Sequence, residues 1–254
     1  MYFAQMDSLK NQLSEKRPFN ETELRRLREE FIIENTYNSN AIEGNSLTLR
    51  ETALILKEGL TIAEKPMREH LEVIGHKEAF NYILTLTDAN TAFTERTILD
   101  IHSLVLMNDQ LNKGIYRRID VAISGAVHTP PEPHLVTEQM EQLLADYEQM
   151  KQEKHIIEAI SEFHLRFEGI HPFIDGNGRT GRLVLNLELM KAGYLPVNIK
   201  YSDRRKYYEC FDAYYGNDNT PKNLIELITN YEIMEIEKML KMIGQVEKYC
   251  NKKC

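Results

Sequence analysis

Apolar residues along this 254-residue chain recur mostly at three- and four-residue intervals, the period of one helical face, and strictly alternating runs are scarce. The pattern predicts a mainly α fold with helices over 4–15, 21–35, 50–58, 68–87, 94–107, 135–151, 153–168, 179–192, 204–215 and 222–248. Local chemistry marks several bounds. Asn20-Glu21-Thr22-Glu23 puts a capping side chain ahead of acids, Thr220-Pro221 puts proline at a first helical position, and Gly193 is a C-terminal stop. One region breaks the helical rhythm. In GIYRRIDVAISGAVHTPPEPH, residues 114–134, Val121-Ala122-Ile123 and Val127-His128-Thr129 flank Ser124-Gly125-Ala126, which predicts a short β-hairpin ended by Pro130-Pro131. No repeat or linker divides the chain, so one compact unit is expected.

Composition narrows the function classes. A formal net charge of -8 without a Lys/Arg run argues against nucleic acid as a partner. No apolar run approaches the ~20 residues that span a bilayer, so no membrane partner is expected. The start, MYFAQMDSLKNQLSEKR, lacks a secretory pattern, and the odd set Cys210, Cys250 and Cys254 has no metal-type spacing. These features predict a reducing, cytoplasmic setting. The amphipathic segment 222–248 leaves a homodimer open.

The chemistry concentrates in His171–Arg182, HPFIDGNGRTGR. Gly176 and Gly178 around Asn177 permit positive φ and close approach of another molecule to the backbone. The helix that follows points unpaired N–H groups and a positive dipole end at the same spot, which suits phosphate. Arg179 and Arg182, three apart with Thr180 and Gly181 between them, share a helix face and can grip successive phosphates. Asp175 beside a polyphosphate calls for a divalent cation, and Mg²⁺ favours a carboxylate plus phosphate oxygens and water. His171, ahead of Pro172, is a loop imidazole able to accept a hydroxyl proton. The P-loop and dinucleotide signatures are both missing.

His171–Arg182 matches the signature HPFx(D/E)GNGRxxR of the Fic (Fido) family at every position, and the resemblance extends over about 95–230. The resemblance implies a Fic/Fido helical core with a small β-hairpin flap that transfers AMP from ATP to a Ser, Thr or Tyr hydroxyl of a target protein. His171 would be the base and Asp175 the Mg²⁺ ligand. Gly176, Asn177 and Gly178 would stabilise phosphoryl charge, Arg179 and Arg182 would hold the outer phosphates, and Phe173 would anchor the loop. Tyr208 resembles the tyrosine lining the adenine pocket, and Val127 and His128 of the flap would align the target hydroxyl. The expected division is an N-terminal helical region 1–94, the core 95–230 and a C-terminal helical extension 231–254.

Upstream, TYNSNAIEGN at 36–45 places Ser39 and Glu43 four apart on a short helix that Gly44 ends. Read alone, Ser39 is a cap, and Glu43 is a carboxylate badly placed at a helix C-terminus. The stretch resembles the inhibitory motif of Fic proteins, which implies that Glu43 pairs with Arg182 in the space of the γ-phosphate. In some relatives that glutamate also supports removal of AMP. Transfer of UMP, phosphate or phosphocholine, and a silent nucleotide-binding regulatory module, are the alternative readings.

Overall fold

The helical periodicity is realised as ten α-helices among the residues that the computed structural model describes, 2–16, 21–123, 125–216 and 219–251. In chain order these are α1 (Tyr2–Ser14), α2 (Glu21–Ile42), α3 (Leu49–Glu58), α4 (Met67–Asp88), α5 (Glu95–Val105), α6 (Val136–Glu153), α7 (Ile156–Ile170), α8 (Asn177–Lys191), α9 (Arg204–Gly216) and α10 (Lys222–Asn251). Two helix starts carry reciprocal capping boxes, Thr48 with Glu51 and Thr94 with Thr97. Asn20, the expected cap of α2, lies outside the described residues.

Helix α8 is the centre of the fold. Asn177 and every residue from Arg179 to Leu189 are buried, so this helix has no solvent face, and α2, α4, α5 and α7 pack around it. Its polar residues are satisfied in place. Asn186 Oδ1 accepts from the Val197 N–H at 2.8 Å while its Nδ2 donates to the Val197 carbonyl at 3.0 Å. Buried Glu188 accepts from the Tyr147 hydroxyl and from Lys191 Nζ. Around α8 one continuous apolar core runs from Met6 on α1 to Ile236 on α10.

Two expectations need correction. The hairpin over 114–134 is not formed, since no strand occurs among the described residues. Ser124 lies outside them, and the Ala126 N–H to Ile123 carbonyl bond of 3.2 Å makes a turn without a ladder. A lone two-stranded hairpin is marginal in water, and no third strand supports this one. Arg117 gathers the loop instead, donating to the carbonyls of Ile119, Pro131, Ile170 and His171. The second correction is α2, expected at 21–35 with a separate short helix at 36–45, which runs unbroken to Ile42. Thr36, Asn38, Ser39 and Asn40 are polar yet buried. Asn35 donates to the Val197 carbonyl, and Asn38 bonds both Asn198 and the Tyr201 N–H. A helix face that buries amides is invisible to an apolar-periodicity argument.

Adjacent residues of α4 set two tests of this packing. A Cβ on Gly75 would run into the Leu104 carbonyl oxygen and stand 3.2 Å from the Met107 side chain. Gly75→Ala should therefore cost about 1–3 kcal/mol and lower the thermal midpoint by several degrees. His76 is fully buried, its Nδ1 3.0 Å from Thr36 Oγ1, and burial, then the charges of Arg182 and Arg179, push its pKa down to about 3. That is below its unfolded value, so the unfolded chain takes up the proton first and stability drains as pH falls from about 6.5 toward 3. Urea unfolding at pH 7, 6 and 5 should show the protein losing stability relative to His76→Leu, with the slope approaching about 1.4 kcal/mol per pH unit below pH 6. A constant difference would mean that His76 titrates alike in the folded and unfolded chain.

Candidate active site

Helix α7 ends at Ile170, and His171 caps it in a left-handed conformation, φ 50 and ψ 59, rarely adopted by a non-glycine residue. Pro172 disfavours continuing the helix, so the chain turns sharply here. His171 Nδ1 lies 3.2 Å from the Glu168 carbonyl oxygen, which can only accept. Nδ1 therefore carries the proton, a tautomer assigned from that partner, and Nε2 keeps its lone pair. Burial lowers the imidazole's pKa against the opposing pull of the Glu168 carbonyl and Glu43, so it is neutral at pH 7.

The loop between His171 and α8 is held by two side chains acting on its backbone. Asn177 Oδ1 accepts from the Phe173 N–H and its Nδ2 donates to the Phe173 carbonyl, both at 2.9 Å. Phe173 is fully buried and stacks on the His102 ring at 3.6 Å. His102 Nδ1 accepts from the Gly114 N–H, so its Nε2 donates to the Asp175 carbonyl at 3.0 Å. Burial pushes the His102 pKa down to about 4 and keeps it in that form. Gly176 then turns at φ 80, and α8 starts at Asn177, two residues earlier than expected, with no side chain capping it. The two glycines divide their work. Gly176 supplies the positive φ, whereas helical Gly178 leaves room for Glu43, whose Oε1 occupies the place of a Cβ.

Both arginines are held by carboxylates. Arg182 Nη2 donates to Glu43 Oε1 and to the Ser39 carbonyl, each at 2.8 Å; its Nε donates to Ser39 Oγ at 3.0 Å. Ser39 is thus not a helix cap: it sits inside the last turns of α2 and holds Arg182. Burial opposes the charge of this guanidinium, and Glu43 and Tyr207 together outweigh burial and raise its pKa. Arg179, also buried, reaches Asp175 Oδ1 at 3.1 Å and Glu72 Oε1 at 3.9 Å, and its Nε has no partner. Asp175 keeps 58% of its side chain exposed.

A cleft of about 360 Å³ is lined by Glu43, Glu168, His171, Gly178, Arg182 and Tyr208, with Val127 and His128 on the loop side, whereas Asp175, Gly176, Asn177 and Arg179 lie outside its lining. Tyr208 donates to the Ile42 carbonyl at 3.2 Å, tying α9 to the end of α2. Val127 is exposed, while His128 stacks on Tyr215 at 3.9 Å with its Nε2 3.0 Å from the Gly169 carbonyl. Thr180 and Gly181 lie in the buried first turns of α8, away from the cleft's lining. The donor set fits Mg²⁺: one hard carboxylate, exposed, beside an anion-seeking helix end, with no cluster of three or more His, Cys, Asp or Glu among the described residues that could hold an ion alone.

Sequence reasoning missed His102, Arg117, Glu72 and the cleft role of Glu168. None belongs to a motif, and each is one polar residue in an ordinary helix or loop. A buried histidine on an amphipathic helix was the only available signal for His102. Of the cysteines, Cys210 is free and buried, its pKa raised by burial to about 12. No helix among the described residues is long and apolar enough to cross a membrane.

Comparison with known proteins agrees with this fold. Residues 92–189 match the Fic/DOC family. The chain is 38% identical over 202 residues to a protein adenylyltransferase Fic of Nematostella vectensis, covering 78% of this chain and 47% of that protein. With its Aedes aegypti counterpart it shares 35% over 226 residues, covering 86% and 44%. It thus spans less than half the length of these relatives. Among solved structures, a Fic domain containing signaling protein from Bacteroides thetaiotaomicron superimposes with a TM-score of 0.84 at 25% identity, covering 96% of this chain and 97% of that one. Fic-1 from C. elegans gives 0.82 at 28% identity, covering 94% and 70%. By its signature, its fold and these relatives, the protein belongs to the Fic/DOC family.

Proposed function

We propose that this protein is an adenylyltransferase that moves AMP from ATP to a hydroxyl of a target protein, and that Glu43 restrains it. The observation that carries the reading is the pairing, in one cleft, of a neutral His171 with its Nε2 free and the first turn of an uncapped α8, where Gly178 and Arg182 line the wall. The target oxygen bonds to the α-phosphorus as the bond to the bridging oxygen of the β-phosphate breaks. Pyrophosphate leaves, and the hydroxyl proton passes to His171 Nε2. The first-turn N–H groups of α8 and the Arg179 and Arg182 guanidiniums favour the phosphate charge. Asp175 would hold Mg²⁺, which neutralises phosphate charge when bound. Asn177 contributes through its backbone, since its side chain is spent on Phe173.

Glu43 occupies Arg182 and presses against Gly178, the ground that an outer phosphate needs. An ion-paired hydrogen bond of this kind is worth about 1.5–3 kcal/mol. Freed of it, Glu43→Gly should incorporate about 10–150-fold more AMP from α-labelled ATP and Mg²⁺ in a cell lysate. Adding His171→Ala should then lower transfer by at least about 10²-fold. Equal labelling by the unmodified protein and Glu43→Gly would refute the restraint. Label that arrives only from γ-labelled ATP would replace AMP transfer by phosphate transfer.

A further inference from the structure

The Glu168 carboxyl takes no part in the scheme above, yet the residue lines the cleft beside Glu43, His171 and Arg182. The residue is half-buried, and its Oε1 is buried without a hydrogen-bond partner. A Cβ on Gly181 would stand 2.6 Å from this oxygen and 3.0 Å from His164 Nδ1, so both side chains close on the α8 backbone next to Arg182. Gly178, one turn earlier, receives Glu43 in the same manner, with Arg182 Nη1 2.9 Å from its Cβ position. The two glycines therefore admit two carboxyl groups to the opening turns of one helix, where Glu43 bonds Arg182 directly and Glu168 lies in the field of its charge.

The other groups facing Glu168 supply no counter-charge. Arg182 Nη1 donates to the Tyr207 hydroxyl at 3.5 Å, and Tyr207 passes its own hydrogen to His164 Nε2 at 2.7 Å. His164, with its pKa down at about 3 by burial and Arg182, is neutral, as are Tyr207 and Tyr215, raised by burial, and His171. Only Glu43 and Arg182 bring charge to it. Burial, then Glu43, pushes the Glu168 pKa up to about 8, and Arg182 pulls it down.

We propose that Glu168 is a positioning residue, the standby counter-charge of Arg182: protonated while Glu43 holds the arginine, ionised to hold it when Glu43 withdraws, and reprotonated when nucleotide phosphate takes over. The proton leaves to solvent on the withdrawal of Glu43 and returns from solvent with the phosphate. This rests on the reading of the cleft as a nucleotide site.

The test is calorimetry of a non-hydrolysable ATP analogue with Mg²⁺, in buffers of different ionisation enthalpy. At pH 7 to 8, Glu43→Gly should take up more protons per nucleotide than either the unmodified protein or Glu43→Gly/Glu168→Gln. Its affinity should weaken as pH rises above the Glu168 midpoint, by up to about tenfold per unit, while that of the double variant changes less. Equal uptake by Glu43→Gly and the double variant overturns the proposal alone. Should the double variant not fold, equal uptake by Glu43→Gly and the unmodified protein overturns it. No binding by folded Glu43→Gly overturns the nucleotide reading, and the proposal with it.

Discussion

A guanidinium taken out of water must be paired, and the burial of Arg182 in α8 organises the packing of α2 and α9 around the cleft. Its partners come from residues far apart in the chain: Ser39 and Glu43 at the end of α2, and Tyr207 on α9. Removing one partner of a buried charge leaves the other uncompensated, which costs far more than the pair contributes while intact. Helix α2 is consequently held in place by the group it covers. Its buried asparagines fix the same register against Val197, Asn198 and Tyr201, so Glu43 arrives at Arg182 as the end of a rigid lever.

The loop before α8 obeys the same logic with neutral groups. Its irregular backbone cannot satisfy itself, and Asn177, His102 and Arg117 do so from three sides. Buried polar groups that are fully paired make a rigid site. That rigidity leaves His171 in a strained left-handed conformation with one nitrogen committed to a carbonyl, and so defines which nitrogen is free. The tautomer is thus a product of backbone geometry.

Glycine spacing ties the two halves together. Gly178 and Gly181 lie one turn apart on α8, and each gives up a side chain so that a carboxyl group can approach the helix. The first contact sets the resting state of Arg182. Asp175 and Glu72 do the corresponding work on Arg179. The site as described is accordingly a balanced set of charges, with Arg179 and Arg182 each occupied by an internal acid.

The amino-acid sequence by itself determined the helical class, most helix positions, and the local chemistry of His171–Arg182, because periodicity, glycine turns and a dense motif are properties of neighbouring residues. The end of α2 was misread since Thr36 to Asn40 are polar, and only partners some 160 positions away make their burial favourable. The hairpin was expected from two short apolar runs around a glycine turn and from the family resemblance, but a strand needs a neighbour, and a loop gathered by Arg117 fills that place. His102 and Glu168 carry no local mark whatever. Their surroundings arise only when α5, α7 and α8 meet, because burial and the charges across a cleft are properties of the assembled fold.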